Sequence, residues 1–261
     1  MKKCILTALA FLLISVTGYA QTPAYISENA LIDGKTILKA DLMGLGIRNY
    51  GFSAERIINK KISLNLGLHI MPKGGVPMLS FLDKYVPGVL ENFDYDNIKN
   101  MQINSLAFTP ELRIYTGRHG YGRGFYLAPY YNYFTFDLDN LKIEEEIDGR
   151  IESTTLAGGI NTHSGGIMMG CQWMVGKKKN FIIDWGIIGI HAGTSSGNLD
   201  GTLSRPLDPD EQQDVKNALD ENLNSIPLFK FTTEVDANSA KVTEKGPWAF
   251  LKGSLSIGIR L

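Results

Sequence analysis

Apolar and polar residues alternate strictly along much of this chain. The clearest run sets Ile62, Leu64, Leu66, Leu68 and Ile70 against Ser63, Asn65, Gly67 and His69. Successive side chains of a strand point to opposite faces, so such a run encodes a β-strand with one apolar face and not a helix. Similar segments occur at about Ile37–Ile47, Tyr50–Ile58, Gln102–Tyr115 and Gly124–Phe136. Another ends in Ile167, Met169, Cys171, Trp173 and Val175; one runs from Phe181 to about Ala192, and the last closes the chain at Leu251–Leu261. Segments of roughly ten residues exceed the ~5–6 usual for soluble strands and match a tilted strand crossing a bilayer. The eight segments make an even number, as a closed antiparallel barrel of the bacterial kind requires. The expected fold class is therefore all-β: an eight-stranded antiparallel transmembrane β-barrel over residues 36–261, with short periplasmic turns, long outer loops and one short loop helix.

The connections sort by end. Asn59-Lys60, Gly117–Arg123 (GRHGYGR) and Gly176–Asn180 (GKKKN) are compact and rich in turn residues. The alternate connections, Met71–Met101, about Asp137–Ile151 and about Thr194–Lys245, are long, with a tight exception near Asn49. Outer-membrane barrels place short turns on the periplasmic side and long loops outside. Within the longest loop, Pro209–Asn224 predicts a helix, since Val215, Ala218, Leu219 and Leu223 recur at helical spacing behind an acidic first turn. A helix folded back over the barrel mouth is favoured over one that docks a partner. The stretch Met78–Leu90 (MLSFLDKYVPGVL) is unusually apolar for a loop, and Pro87 would interrupt a helix there.

The N-terminus has the layout of a secretory signal: Lys2 and Lys3, an apolar body from Cys4 to Val16, then Gly18-Tyr19-Ala20 before Gln21. The body is shorter than the ~20 residues a spanning helix needs. Residues 1–20 are expected to be a cleaved signal peptide and 21–35 a periplasmic N-terminal segment, with the mature protein in the outer membrane. Cleavage leaves Cys171 as the lone cysteine.

Composition removes several function classes. With 26 Lys+Arg against 27 Asp+Glu there is no basic excess for nucleic acid. The 2 cysteines cannot build a disulfide framework or a four-thiolate zinc site. No P-loop or HExxH occurs, and the glycines of GRHGYGRG read as a turn with no helix behind it. No catalytic residue, cofactor or metal is expected. His163-Ser164 is the one pair that invites an enzymatic account, but neighbours on a strand face opposite ways. His191 reads as a loop-edge residue, His69 as a lumen residue and His119 as a turn residue.

The remaining constellation is ionic. Lys39, Asp41, Glu55, Glu111, Arg113, Asp184 and Lys252 all fall on the parity opposite the apolar face. An eight-stranded barrel is just wide enough inside for side chains to fill, and charges buried there must pair. A salt-bridged plug in the periplasmic half is expected in preference to an ion path.

The exported start, AERIINKKISLNLGLHI (Ala54–Ile70), TPELRIYTG followed by GFYLAPYYNY (Thr109–Tyr133) and the terminal SLSIGIRL resemble a family of small outer-membrane β-barrels known only as a domain of unknown function. The resemblance covers most of the mature chain through strand patterns. It implies an eight-stranded barrel and supplies no substrate. Such barrels often end in an aromatic residue, whereas this chain ends in Leu261 with the parity kept. The function expected is a non-enzymatic barrel with a structural or loop-mediated binding role in the cell envelope. Its expected partners are outer-membrane lipid, the barrel-assembly machinery and an envelope or extracellular partner of the outer loops. The alternatives are a lipid-modifying hydrolase using His163 and a secreted lipocalin-like carrier.

Overall fold

The computed structural model describes residues 35–77, 99–147, 150–176, 179–224 and 228–261. The expected signal peptide, nearly all of the segment to residue 35 and the apolar stretch Met78–Leu90 lie outside these. The elements in chain order are β1 (Thr36–Asp41), β2 (Tyr50–Ile57), β3 (Ile62–Gly75), β4 (Gln102–Tyr115), β5 (Gly124–Ile147), β6 (Arg150–Val175), β7 (Phe181–Leu203), helix α1 (Pro209–Asn224), β8 (Lys230–Val235) and β9 (Ser239–Arg260). They form one nine-stranded antiparallel sheet in the order β1-β2-β3-β4-β5-β6-β7-β9-β8. β9 also returns to pair with β1, from Ile37↔Arg260 to Asp41↔Ser256. That pairing closes eight of the strands into a ring of hydrogen bonds and leaves β8 as an addition to the far half of β9.

Alternation decides what faces inward. In β3, Ser63, Asn65 and Gly67 are buried while Leu64, Leu66 and Leu68 are exposed, and β2, β4 and β7 repeat the inversion. The exposed face carries Phe52, Leu112, Ile167, Trp185 and Ile257. The buried face carries the polar residues and a few large apolar ones. One end of the ring holds the compact connections β2–β3, β4–β5 and β6–β7, with the start of β1 and the end of β9; this is called the turn end below.

Four expectations change. The sheet has nine strands, because β8 arises within the connection expected to run from Thr194 to Lys245. The expected loop Asp137–Ile151 is almost entirely paired strand, since β5 reaches Ile147 and β6 begins at Arg150. Alternation reports a difference between the two faces of a sheet, and backbone pairing continues where that difference fades. Parity also slips there, at an irregularity between Leu138 and Leu141 with Asn140 at φ 59°. The first segment stops at Asp41 instead of Ile47: Asp41 Oδ1 accepts from Met43 N at 2.8 Å, and a 3-10 turn follows at Leu45–Ile47. A Cβ on Gly44 would lie 2.0 Å from Asn49 O, so this tight reversal needs glycine. Finally, His191 is buried inside the strand β7, not at a loop edge, with Nδ1 2.8 Å from Tyr130 OH. A bulge places Ile187 and Ile188 both outward and so resets the parity before it.

Candidate functional site

Inside the ring the side chains are stacked in layers. Nearest the turn end, Ile37, Ile57, Met174 and Ile182 form an apolar cluster with Tyr121 packed against it. Two residues further along the same four strands come Lys39, Glu55, Gln172 and Asp184, all buried. A period of two keeps each pair on one face, so the apolar layer fixes the height of the polar one. β4 adds Tyr115, Arg113 and Glu111 by the same step.

Lys39 Nζ donates to Glu55 Oε2 and to Asp184 Oδ2, both at 2.7 Å, and to Gln172 Oε1 at 3.1 Å. Arg113 binds Glu111 Oε2 through Nε and Nη2 at 3.0 and 2.9 Å. Its Nη1 reaches Asp184 Oδ2, and Glu55 Oε2 at 3.4 Å. Neutral donors take up the remaining oxygens of Glu55 and Asp184. Tyr115 OH donates to Glu55 Oε1 at 2.7 Å and Ser63 Oγ to the same oxygen at 2.5 Å, and Tyr126 OH donates to Asp184 Oδ1 at 2.9 Å. Asn65 Nδ2 donates to Glu111 at 3.0 Å, and Gln172 Nε2 holds Gly122 O at 2.6 Å. The Arg113 guanidinium also lies 4.4 Å from the centre of the Tyr126 ring. Buried charges are tolerable only when paired and hydrogen-bonded in this way.

Of the seven residues expected together, five share this network directly. Asp41 and Lys252 do not join it. Asp41 faces His69 Nε2 at 3.9 Å, an approach possible because Gly51 is glycine: a Cβ there would sit 2.5 Å from that nitrogen. Lys252 Nζ donates to Thr109 Oγ1 at 3.1 Å and lies 5.4 Å from the Tyr130 ring centre. Both residues line a cavity of about 30 Å³ whose walls also include Glu111, Arg113 and Asp184. That volume suits a water or two, and Asn65, whose Oδ1 is buried with no protein partner, lines it as well. The network also takes in Gln172, Ser63, Tyr115 and Tyr126, which charge does not mark; each is a polar or phenolic residue on the inward parity near the turn end.

His163 and Ser164 point to opposite faces: Ser164 is buried and His163 exposed, with its Nδ1 hydrogen-bonded to Tyr131 OH. Among the described residues no group of three or more His, Cys, Asp or Glu is placed to hold a metal ion. In the β4–β5 connection, the charge of Arg123 first, then burial and last the charge of Lys179 hold the His119 imidazole below its ordinary range.

The site therefore belongs to an all-β closed sheet that buries ions on its inner side and exposes an apolar outer face. The family model described as "Protein of unknown function (DUF3575)" matches residues 82–192, which take in β4, β5, β6 and the first half of β7, and so Glu111, Arg113, Gln172 and Asp184. No curated protein and no solved structure matches the chain.

Proposed function

We propose that the ring is an eight-stranded transmembrane β-barrel of the outer membrane, with no enzymatic activity, which reinforces the envelope or binds a partner through its outer loops. The observation that carries this is the inversion of the sheet: Leu64, Leu66 and Leu68 face out while Asn65, Glu111 and Arg113 are buried. A protein in water would have to expose that outward apolar face, far beyond the patches tolerated on soluble monomers. In hydrocarbon the same face is solvated, and ring closure leaves no lipid-exposed sheet edge. The turn end then faces the periplasm and the extended β5, β6, β7 and β9 project outward. The layered ion network supports a filled lumen and a structural role for Lys39, Asp41, Glu55, Glu111, Arg113, Asp184 and Lys252. The separation of His163 from Ser164 across the sheet gives a hydrolase no dyad.

Membrane fractionation with gel mobility before and after boiling tests the proposal. The protein should pellet with outer membranes, resist carbonate extraction and run faster unboiled than boiled. A soluble pool that needs no detergent would contradict it and favour the carrier-like alternative.

A further inference from the structure

Beyond the ring, the inward face of β6, β7 and β9 continues as an apolar wall, and α1 lies across it. Between them is a cavity of about 500 Å³ whose walls include Leu156, Leu199, Leu203, Val215, Leu219 and Val242. A second cavity of about 390 Å³, walled by Phe136, Ile160, Leu223 and Phe231, shares Leu199 and Val242 with the first. Protein interiors pack densely and leave few voids larger than a water molecule. Cavities of ~300–1,000 Å³ with apolar walls are the size and chemistry of ligand sites. Water gains too few hydrogen bonds from such walls to fill them well.

The rim narrows the ligand class. Arg205 is already held by both carboxylate oxygens of Glu211, at 2.8 and 2.7 Å. Asp214 lines the same cavity, so its lining carries two carboxylates against the one cation. A carboxylate or phosphate head would be repelled there, whereas an uncharged one would not. The two cavities lie next to each other along Leu199 and Val242, an elongated arrangement that suits a chain better than a disc.

We propose that the chamber beneath α1 binds a long alkyl chain bearing an uncharged head. The chamber lies on the strand extensions, so the proposal stands apart from whether the ring spans a membrane. The test uses the full chain, folded in detergent, with a dodecanol carrying a diazirine on its chain as probe and the matching dodecanoic acid as control. After irradiation, peptide mapping should place the dodecanol on the segments containing Leu199, Val215, Leu219 or Val242, with at least about fivefold less labelling by the acid. Val242→Trp fills the space and should cut labelling about tenfold while the unboiled gel mobility is unchanged. Should that variant misfold, the smaller change Ala240→Leu serves in its place. Labelling spread evenly over the chain, or undiminished in a folded filled variant, would overturn the site. Acid labelling equal to that of the alcohol would overturn the uncharged class.

Discussion

Arg113 touches three carboxylates, those of Asp184, Glu111 and Glu55. Truncating it leaves Glu55 and Asp184 with Lys39 and leaves Glu111 with only the more distant charge of Lys252, and removing one partner of a buried ionic group costs roughly 3–5 kcal/mol. Arg113→Ala should therefore lose about that much in urea unfolding followed by the folded band on cold gels. Lys252→Ala should lose less, because its nitrogen is hydrogen-bonded to the neutral Thr109 hydroxyl and feels Glu111 and Asp41 only through space. Equal losses would mean that the two cations are not divided as described. A second residue-level prediction concerns α1. Asp208 Oδ1 accepts from the backbone N–H groups of Asp210 and Glu211, both at 2.9 Å, while Glu211 Oε2 accepts from Asp208 N at 2.9 Å. This reciprocal cap, together with Arg205, lowers the Glu211 carboxyl to about 2 from an ordinary 4.5, with the Arg205 hydrogen bonds the largest cause. A carboxyl lowered in the fold contributes its stability above the unfolded value and loses it as pH falls through the folded one. Carbon NMR of the carboxyls should give Glu211 a midpoint near 2, and Arg205→Ala should move it up towards 4.5. An unmoved midpoint in that variant would remove Arg205 from the cause.

At the scale of elements, the ring closes through β1 and β9 without using β8 or α1. Leu203 N already bonds Asn238 O at 3.0 Å, so a short turn can bridge the ends if residues 204–238 are removed. The shortened chain should keep its faster unboiled mobility and lose the dodecanol labelling. Loss of the folded band would make the α1–β8 region part of the ring's own stability. The same division shows what could be read from sequence. Strands β2, β3 and β4 were legible because Leu64 and Asn65, or Leu112 and Arg113, sit in different surroundings on alternate sides. The helix at Pro209–Asn224 was legible from its apolar spacing and acidic start. The far half of β5 was not, because its alternation is brief, Leu138 between two aspartates and then Leu141 and Ile143 against Lys142 and Glu144, and a bulge between the two shifts the phase. β8 was hidden for a related reason: KFTTEV is short, and only its pairing with β9 defines it. Within the network, Lys39, Glu55 and Asp184 could be placed by parity alone. Gln172 is the direct cross-strand neighbour of Asp184, but its bond to Lys39, like that of Tyr126 to Asp184, depends on the curvature that brings β6 and β5 round to β1 and β7.

For the whole molecule, the central matter is what surrounds the outward face. The chain has 3 tryptophans, and they report on it separately. Trp173 and Trp185 lie on the outward face of β6 and β7, 36% and 37% exposed. Trp248 instead stacks with Phe134 and Phe250, ring centres 6.1 Å apart in each case, on the inward side of β9 beyond the ring. Bromine atoms on lipid acyl chains quench only those indoles that touch the hydrocarbon. Single-tryptophan forms, each keeping one of the three and carrying Phe at the other two, can be refolded into vesicles of brominated phosphatidylcholine. The account predicts strong quenching of Trp173 and Trp185 relative to unbrominated vesicles, and little quenching of Trp248. Folded protein whose Trp173 and Trp185 emission is untouched by the brominated chains would contradict it.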